Sequence, residues 1–365
     1  MAANTFAARV KEFWNWFEAS EATLEDRITR LRELDAEEVT GFLSKGLDRT
    51  LDGVVFEMGG DHEINLSPEG SPARCFLTSY IAAAMPFRLR EKWTVTPWKI
   101  PAPEGFAVRM FGISVSPEDV MVDVHHEQGS NSFALVFCNE SLSALDEDDC
   151  YHFFYILLEA ALGENICLSH IRGIHKARAE EDGMVPLSDL GAVIRDTLAA
   201  DGREVLENPC FSLVAYSMEP EESDTPRHDV ITGYTSLPDL LDDYYGEESP
   251  VCDMLEENGA GAGFVMYRHG EREPGDALEL RNAIAERLEE AVLGEAGSGD
   301  EVGFLLGQAC GRDCCYIDLL LYDEQAFFDA APAVLAEFGY EMIFFSFCPG
   351  EGGVTLVQGE ESRRD

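Results

Sequence analysis

Apolar positions recur every three or four residues at the start of the chain, and the period shortens to two further along. Phe6, Val10, Phe13, Trp14 and Phe17 form one apolar face of a helix. Leu24, Ile28, Leu31 and Leu34 continue as a second helix, with Ser20 or Thr23 as its cap. Val39, Phe42, Leu43 and Leu47 predict a third. An aromatic stripe at this spacing reads as core packing rather than a cofactor box. The period then changes. Val54-Val55-Phe56 and Ile64-Asn65-Leu66 flank Gly59-Gly60 and predict a hairpin. A helix over 73–84 ends before Pro86, and the stretch Pro97 to Pro103 is extended. Strands are predicted over 107–114, 119–125 and 132–137, with a turn at Gly129. A helix over 146–162 is stopped by Gly163, followed by a strand over 166–171 and a helix over 188–199.

Residues 201–209, with an Asp-Gly pair and Asn208-Pro209, mark a boundary. Beyond it come a strand over 211–216 and an acidic, mobile loop, Glu219 to Asp224. Two short helices follow, over 237–245 with Pro238 in its first turn, and around Met254 with Asn258-Gly259 as its cap. From Gly263 the order is strand, helix, strand, strand, helix, strand. The two central strands form a hairpin around Gly311-Arg312-Asp313, and a last strand covers 354–357. That is the split βαβ, ferredoxin-like order. The expected fold class is therefore α+β in two units: 1–200, with N-terminal helices before its strands, and a ferredoxin-like 210–358. The first unit also ends in a hairpin, a helix and a strand, without a residue-level repeat.

Composition changes this picture in one respect. A 45% hydrophobic fraction in 365 residues is ordinary for a folded chain, and 26% charged is ordinary too. The sign is not: 70 Asp plus Glu stand against 26 Lys plus Arg, a formal net charge of −44. Such a chain repels phosphates and anionic headgroups, and no basic patch is present, so neither nucleic acid nor membrane is an expected partner. Solubility or adaptation to a salty medium, attraction of a basic protein, and cation binding remain as readings of the acidity. The N-terminus lacks a secretory apolar stretch, no apolar run has the length of a membrane span, and ten cysteines are scattered without a secreted pattern. A cytoplasmic location with reduced thiols is the expectation.

Several clusters are candidates for chemistry. Cys310, Cys314 and Cys315 lie close enough in sequence for zinc or a redox pair. Their spacing is not that of a zinc knuckle, and on a hairpin they also read as small buried hydrophobes. His125 and His126 are adjacent on a strand and point to opposite faces, so one metal cannot take both without a bend. The run Asp146 to Asp149 sits where a helix begins, which is capping chemistry. Gly259-Ala-Gly-Ala-Gly263 follows a helix and precedes a strand, the reverse of a phosphate loop. No nucleophile elbow, zincin or Walker motif occurs, so no cofactor is expected. Asp318 shares a strand face with Tyr316 and Leu320, opposite Ile317, Leu319 and Leu321. If that face lines a cleft, Asp318 with Tyr316 and Tyr322 is a binding site. If it meets water, Asp318 is a solvated side chain.

The FWNWF segment with its helical pair, LDGVVFEMG, and AAAMPF before Trp93 and Trp98 resemble a group of uncharacterised bacterial proteins. The resemblance covers roughly the first hundred residues, with echoes in ALGENICLSHIRGI and CCYIDLLLYDEQAFFDAA, and implies no activity. The C-terminal order of elements is similar to that of the regulator of ribonuclease activity B, a small acidic ferredoxin-like protein that binds an RNA-degrading enzyme. That similarity transfers no residues. The reading that follows is a non-catalytic bacterial protein-binding module, such as an inhibitor or immunity-type partner of a basic protein. The alternative is an enzyme with dispersed acids at a site where the two units join.

Overall fold

Thr5 starts the fold: its hydroxyl oxygen accepts the Ala8 N–H at 3.4 Å and caps helix α1 (Phe6–Thr29). The two helices expected here are one. Ser20 and Thr23 sit inside α1, because Glu18, Ala19, Glu21 and Ala22 around them favour helix and neither Gly nor Pro interrupts. Leu31 and Leu34 lie outside the described residues. The computed structural model describes residues 4–30, 36–59, 62–270, 272–348 and 352–359. Helix α2 (Ala36–Leu47) follows. Phe6, Val10, Phe13, Trp14, Phe17 and Leu24 form the buried face of α1, and the Trp14 indole donates to the Ile81 carbonyl at 2.9 Å.

The chain forms two compact units, each discontinuous in sequence. The smaller comprises residues 55–78 and 93–212, the larger 1–54, 79–92 and 213–365. The chain passes between them just beyond the boundary expected at 201–209. Residues 1–54, expected with the strands that follow, cluster instead with the C-terminal sheet.

In the smaller unit, β1 (Val55–Gly59) and β2 (Glu63–Ser67) form the expected antiparallel pair; Gly60 of its turn is outside the described residues. Helix α3 (Pro72–Ala83) begins in this unit, and β3 (Thr94–Thr96) adds to β2 in parallel. The expected strand over 107–114 is a small hairpin of β4 (Val108–Met110) and β5 (Ile113–Val115). Next come β6 (Met121–His126), β7 (Phe133–Cys138), the short α4 (Glu140–Ser143), α5 (Glu147–Leu162) and α6 (Glu164–His170). They are followed by β8 (Ile171–Lys176), β9 (Val185–Pro186) and α7 (Leu190–Ala200). The sheet order is β8-β7-β6-β9. Helix α5 packs onto it, with the Phe137 and Phe154 rings stacked 3.9 Å apart. The strand expected over 166–171 is helix α6. Its apolar residues resemble a strand, but Glu164 fixes its first turn through long-range hydrogen bonds that local pattern does not contain.

The larger unit continues with β10 (Val214–Ser217), β11 (Val230–Thr235), α8 (Asp239–Tyr245), α9 (Pro250–Glu257), β12 (Gly261–Arg268) and α10 (Pro274–Leu288). A π-helical turn over Glu289–Leu293 extends α10. Then follow β13 (Gly303–Gly311), β14 (Cys314–Leu321), α11 (Glu324–Leu335), β15 (Met342–Ser346) and β16 (Val354–Val357). Every pairing in the sheet is antiparallel, in the order β10-β11-β13-β14-β12-β15-β16. Strand β11 has no counterpart in the sequence reading: its two-residue alternation is broken by Thr232 and Gly233. Helices α10 and α11 bury Ile284, Leu288, Phe327 and Leu335 against Ile317, Leu319 and Leu321 on one face. All eight residues of β14 are buried, so its second face is covered as well. The protein is thus α+β, and among the described residues no helix is long and apolar enough to cross a membrane.

Candidate functional site

Asp318, in the middle of β14, neither lines a cleft nor meets water. It is 1% exposed and pairs with Arg227, itself fully buried. Arg227 Nη1 donates to Asp318 Oδ1 at 2.5 Å and Nη2 to Oδ2 at 3.3 Å; Nη2 also donates to the Tyr216 hydroxyl at 2.7 Å. The guanidinium lies about equally close to three rings, Phe264, Tyr316 and Phe347, at 5.0–5.3 Å from their centroids. Burial by itself would discharge Arg227, and the Asp318 carboxylate together with Tyr216 and Tyr245 more than offsets that, so the side chain stays cationic. Tyr316 accepts the Arg227 N–H at 2.9 Å and donates to Asp229. Asp229 in turn accepts the N–H groups of Asp313 and Cys314 at 3.0 and 2.9 Å. Tyr245 of α8 donates to the Arg227 carbonyl at 3.0 Å. Arg227 holds a left-handed backbone, φ 68°, which costs energy for any residue with a Cβ and persists because its surroundings fix it.

Of the three residues expected as a binding site, Tyr316 joins Asp318 in this buried centre. Tyr322 lies just past the end of the strand, its ring 4.3 Å from Tyr80 and 6.1 Å from Phe6. Asp318, Tyr316 and Arg227 are all buried, and the centre reads as a structural clamp between β14 and the segment before β11. Arg227 was missed in the sequence because it stands in an acidic loop beside Pro226, where an arginine reads as solvated.

The three thiols do not converge. Cys314 and Cys315 are consecutive on β14 and face opposite sides. Cys314 lies toward Asp229, where burial and that carboxylate push its thiol up to about 11. Cys315 faces Cys310 across the hairpin. Among the described residues no three His, Cys, Asp or Glu side chains are grouped to hold a metal ion. The two histidines on β6 diverge as their parity requires. His125 is exposed and 3.1 Å from Asp123, while His126 stacks on Phe133 and bonds the Ser130 carbonyl at 3.0 Å. Asp146 caps α5 by accepting the Asp149 N–H at 2.9 Å.

A second polar centre, absent from the sequence reading, lies in the smaller unit. Glu164, at the start of α6, is fully buried. It accepts the Ser67 hydroxyl at 3.1 Å, the Gly70 N–H at 3.0 Å and the Lys99 N–H at 3.1 Å. Glu159, one turn earlier on α5, is 6% exposed; its Oε2 is 3.9 Å from Lys99 Nζ, and its Oε1 has no partner among the described residues. Burial and the nearby Glu164 charge, opposed by Lys99, push Glu159 up to about 7. Tyr155, whose hydroxyl Glu159 and Glu164 act on electrostatically, reaches a cavity of about 320 Å³ also lined by Gly70, Cys167 and Arg172. A carboxyl that titrates near neutrality beside a tyrosine is equipped to exchange protons.

The edge of the larger sheet is the third feature. Among the described residues strand β10 has one neighbour, β11. The Met218 N–H donates to the Ile231 carbonyl at 3.0 Å, so Met218 and, by alternation, Tyr216 turn their peptide groups toward β11. Ala215 and Ser217 turn theirs to the open edge. Leu213 and Ile231 are 60% and 45% exposed beside it. The connection to β11 carries Glu219, Glu221, Glu222 and Asp224, all exposed. Comparison with protein-family models, curated proteins and solved structures gave no match to this chain.

Proposed function

We propose that the protein is a non-catalytic, protein-binding module of the bacterial cytoplasm that takes a basic segment of another protein along strand β10. The observation that carries this is the pairing of an open, partly apolar strand edge with four exposed acids in the adjoining connection. Main-chain groups of an open edge bind an extended segment, and a carboxylate cluster selects a cationic one. The order of β13, β14, β12 and β15, linked by α10 and α11, supports a ferredoxin-like centre for this unit, with β10, β11 and β16 as additions. That in turn supports the likeness to a small acidic protein that acts by binding an enzyme. Inhibitor or immunity-type action on a basic partner is the most specific form of the reading.

The test is capture from a bacterial extract at about 0.05 M and about 0.5 M salt, by the full chain and by Ser217→Pro. Proline there removes only an edge-facing N–H and leaves the β10–β11 bonds intact. The expected outcome is a basic protein recovered at low salt, released at high salt and lost with the proline variant. Equal recovery by both chains, or recovery indifferent to salt, would sink the proposal.

A second reading, an enzyme, is favoured by Glu159 alone: a buried carboxyl raised to about 7 and linked through Tyr155 to a cavity. Its site is then inside the smaller unit, with Glu159 as proton donor or acceptor and Tyr155 as the group that reaches the cavity.

A further inference from the structure

Arg281 is a buried cation that faces a thiol. It projects from α10, is 6% exposed, and places Nη1 3.7 Å from Cys310 Sγ. Its other contacts are the Asn282 side-chain oxygen at 3.1 Å and the Tyr234 ring at 5.8 Å; Nε has no partner among the described residues. Among the described residues no carboxylate pairs with it, in a chain that carries 70. Cys310 on β13 stands directly opposite Cys315 on β14, with the thiols within hydrogen-bonding reach of one another. Cys315 is fully buried, whereas Cys310 is partly exposed.

We propose that Cys310 and Cys315 are a redox pair that closes reversibly into a cross-strand disulfide, with Cys310 as the attacking thiolate and Arg281 as the residue that positions and stabilises it. The co-reactant is a small disulfide of the glutathione type. Cys310 thiolate attacks one of its sulfurs, forming a mixed disulfide and expelling one glutathione thiolate. Cys315 then attacks the Cys310 sulfur, expels the second glutathione thiolate and gives it its proton. Two protein thiols are oxidised and one disulfide is reduced to two thiols.

The surroundings agree with this division of roles. The hydrogen bond from Cys315 lowers the Cys310 thiol and Arg281 adds to it, against burial and the Asp229 charge. The same hydrogen bond and burial raise Cys315, as suits a resolving thiol that stays protonated until the mixed disulfide forms. A second thiol contact in the chain is the natural control. Cys252 and Cys348 also touch, but the charged groups near them are acids: Asp243, which accepts the Cys252 N–H at 2.8 Å, and Glu256. That pair lacks the cation and stays a pair of thiols.

The test exposes the folded full-length protein to oxidised glutathione, quenches with acid and maps the cysteines by mass spectrometry. The expected product joins Cys310 to Cys315 with the loss of two hydrogens. Cys315→Ser accumulates glutathione on Cys310, Cys310→Ser leaves Cys315 unmodified, and Cys252 and Cys348 remain free. The rate of Cys310 alkylation by iodoacetamide is then followed against pH. Arg281→Gln slows it about tenfold at neutral pH and moves its midpoint upward. A merely structural arginine would leave that midpoint in place. If Arg281→Gln does not fold, the glutathione adducts of the two cysteine variants decide alone. Cys310 reacting no faster than Cys348, or a 310–315 pair that stays reduced, overturns the proposal.

Discussion

Arg227 and Asp318 are the two residues whose charges the larger unit can least leave unpaired. Each is almost completely buried, and each would be an isolated ion without the other. Asp318→Asn or Arg227→Met is therefore expected to cost about 3–5 kcal/mol in urea unfolding, because it strands a buried charge. The double variant Arg227→Met/Asp318→Leu removes both charges and is expected to recover most of that loss. A double variant as unstable as the sum of the singles would show that the aromatic and tyrosine contacts, not the ion pair, hold the centre. Glu159 behaves in the opposite way, because its environment opposes its charge. Its carboxyl titrates at 4.5 ordinarily and at about 7 in the fold. The folded chain thus holds this proton more tightly than the unfolded one. The stability so gained is full below pH 4.5 and is lost as pH rises through 7. Glu159→Gln carries no such dependence. Relative to it, the natural chain should lose about 3 kcal/mol between acid and mildly alkaline pH. Parallel stability curves for the two chains would refute this.

At the scale of elements, hydrophobic period located most helices and strands, and failed where a polar contact from far along the chain decided the outcome. Helix α6 is the plainest instance. The segment Ile166 to Ile171 reads as a strand, yet Glu164 binds Ser67, which is 97 residues away, and the helix starts from Gly163. Gly163 has φ 89° and ψ 145°, a region open in practice to glycine alone. A Cβ there would sit 2.8 Å from the Asn165 side-chain oxygen and 3.0 Å from the Pro101 ring. Gly163→Ala is expected to lower stability by about 1–3 kcal/mol in thermal or urea unfolding. A loss within error would mean that α5 and α6 turn more freely than this geometry allows. Strand β11 escaped notice for a related reason: an interrupted alternation becomes a strand when β10 and β13 supply its hydrogen bonds on both sides.

For the molecule as a whole, the acid excess governs how charge is buried. Six acids among the described residues are buried, against two arginines. Only Asp318 takes a guanidinium. Glu164, Asp229, Asp243 and Glu301 are held by main-chain N–H groups, Glu301 by those of Gly297 and Gly299 at 3.0 and 2.6 Å. In a cation-poor chain, peptide donors do for buried carboxylates what arginine and lysine do elsewhere. The remaining acids among the described residues are at the surface or partly so, which is the basis for expecting a basic partner.

The sequence by itself determined the α+β class, most element positions, the pairing of Asp318 with Tyr316 on one strand face, the divergence of His125 from His126, and the sign of the surface. All of these follow from local period, strand parity and composition. Only the tertiary structure decided what covers the second face of β14, that Arg227 arrives there from 91 residues away, that Glu159 and Glu164 share one buried corner, and that Arg281 meets a thiol instead of an acid. The physical reason is the same in each case. A buried polar group is defined by the partner that replaces its water, and that partner is chosen by the path of the chain in space, which no local pattern encodes.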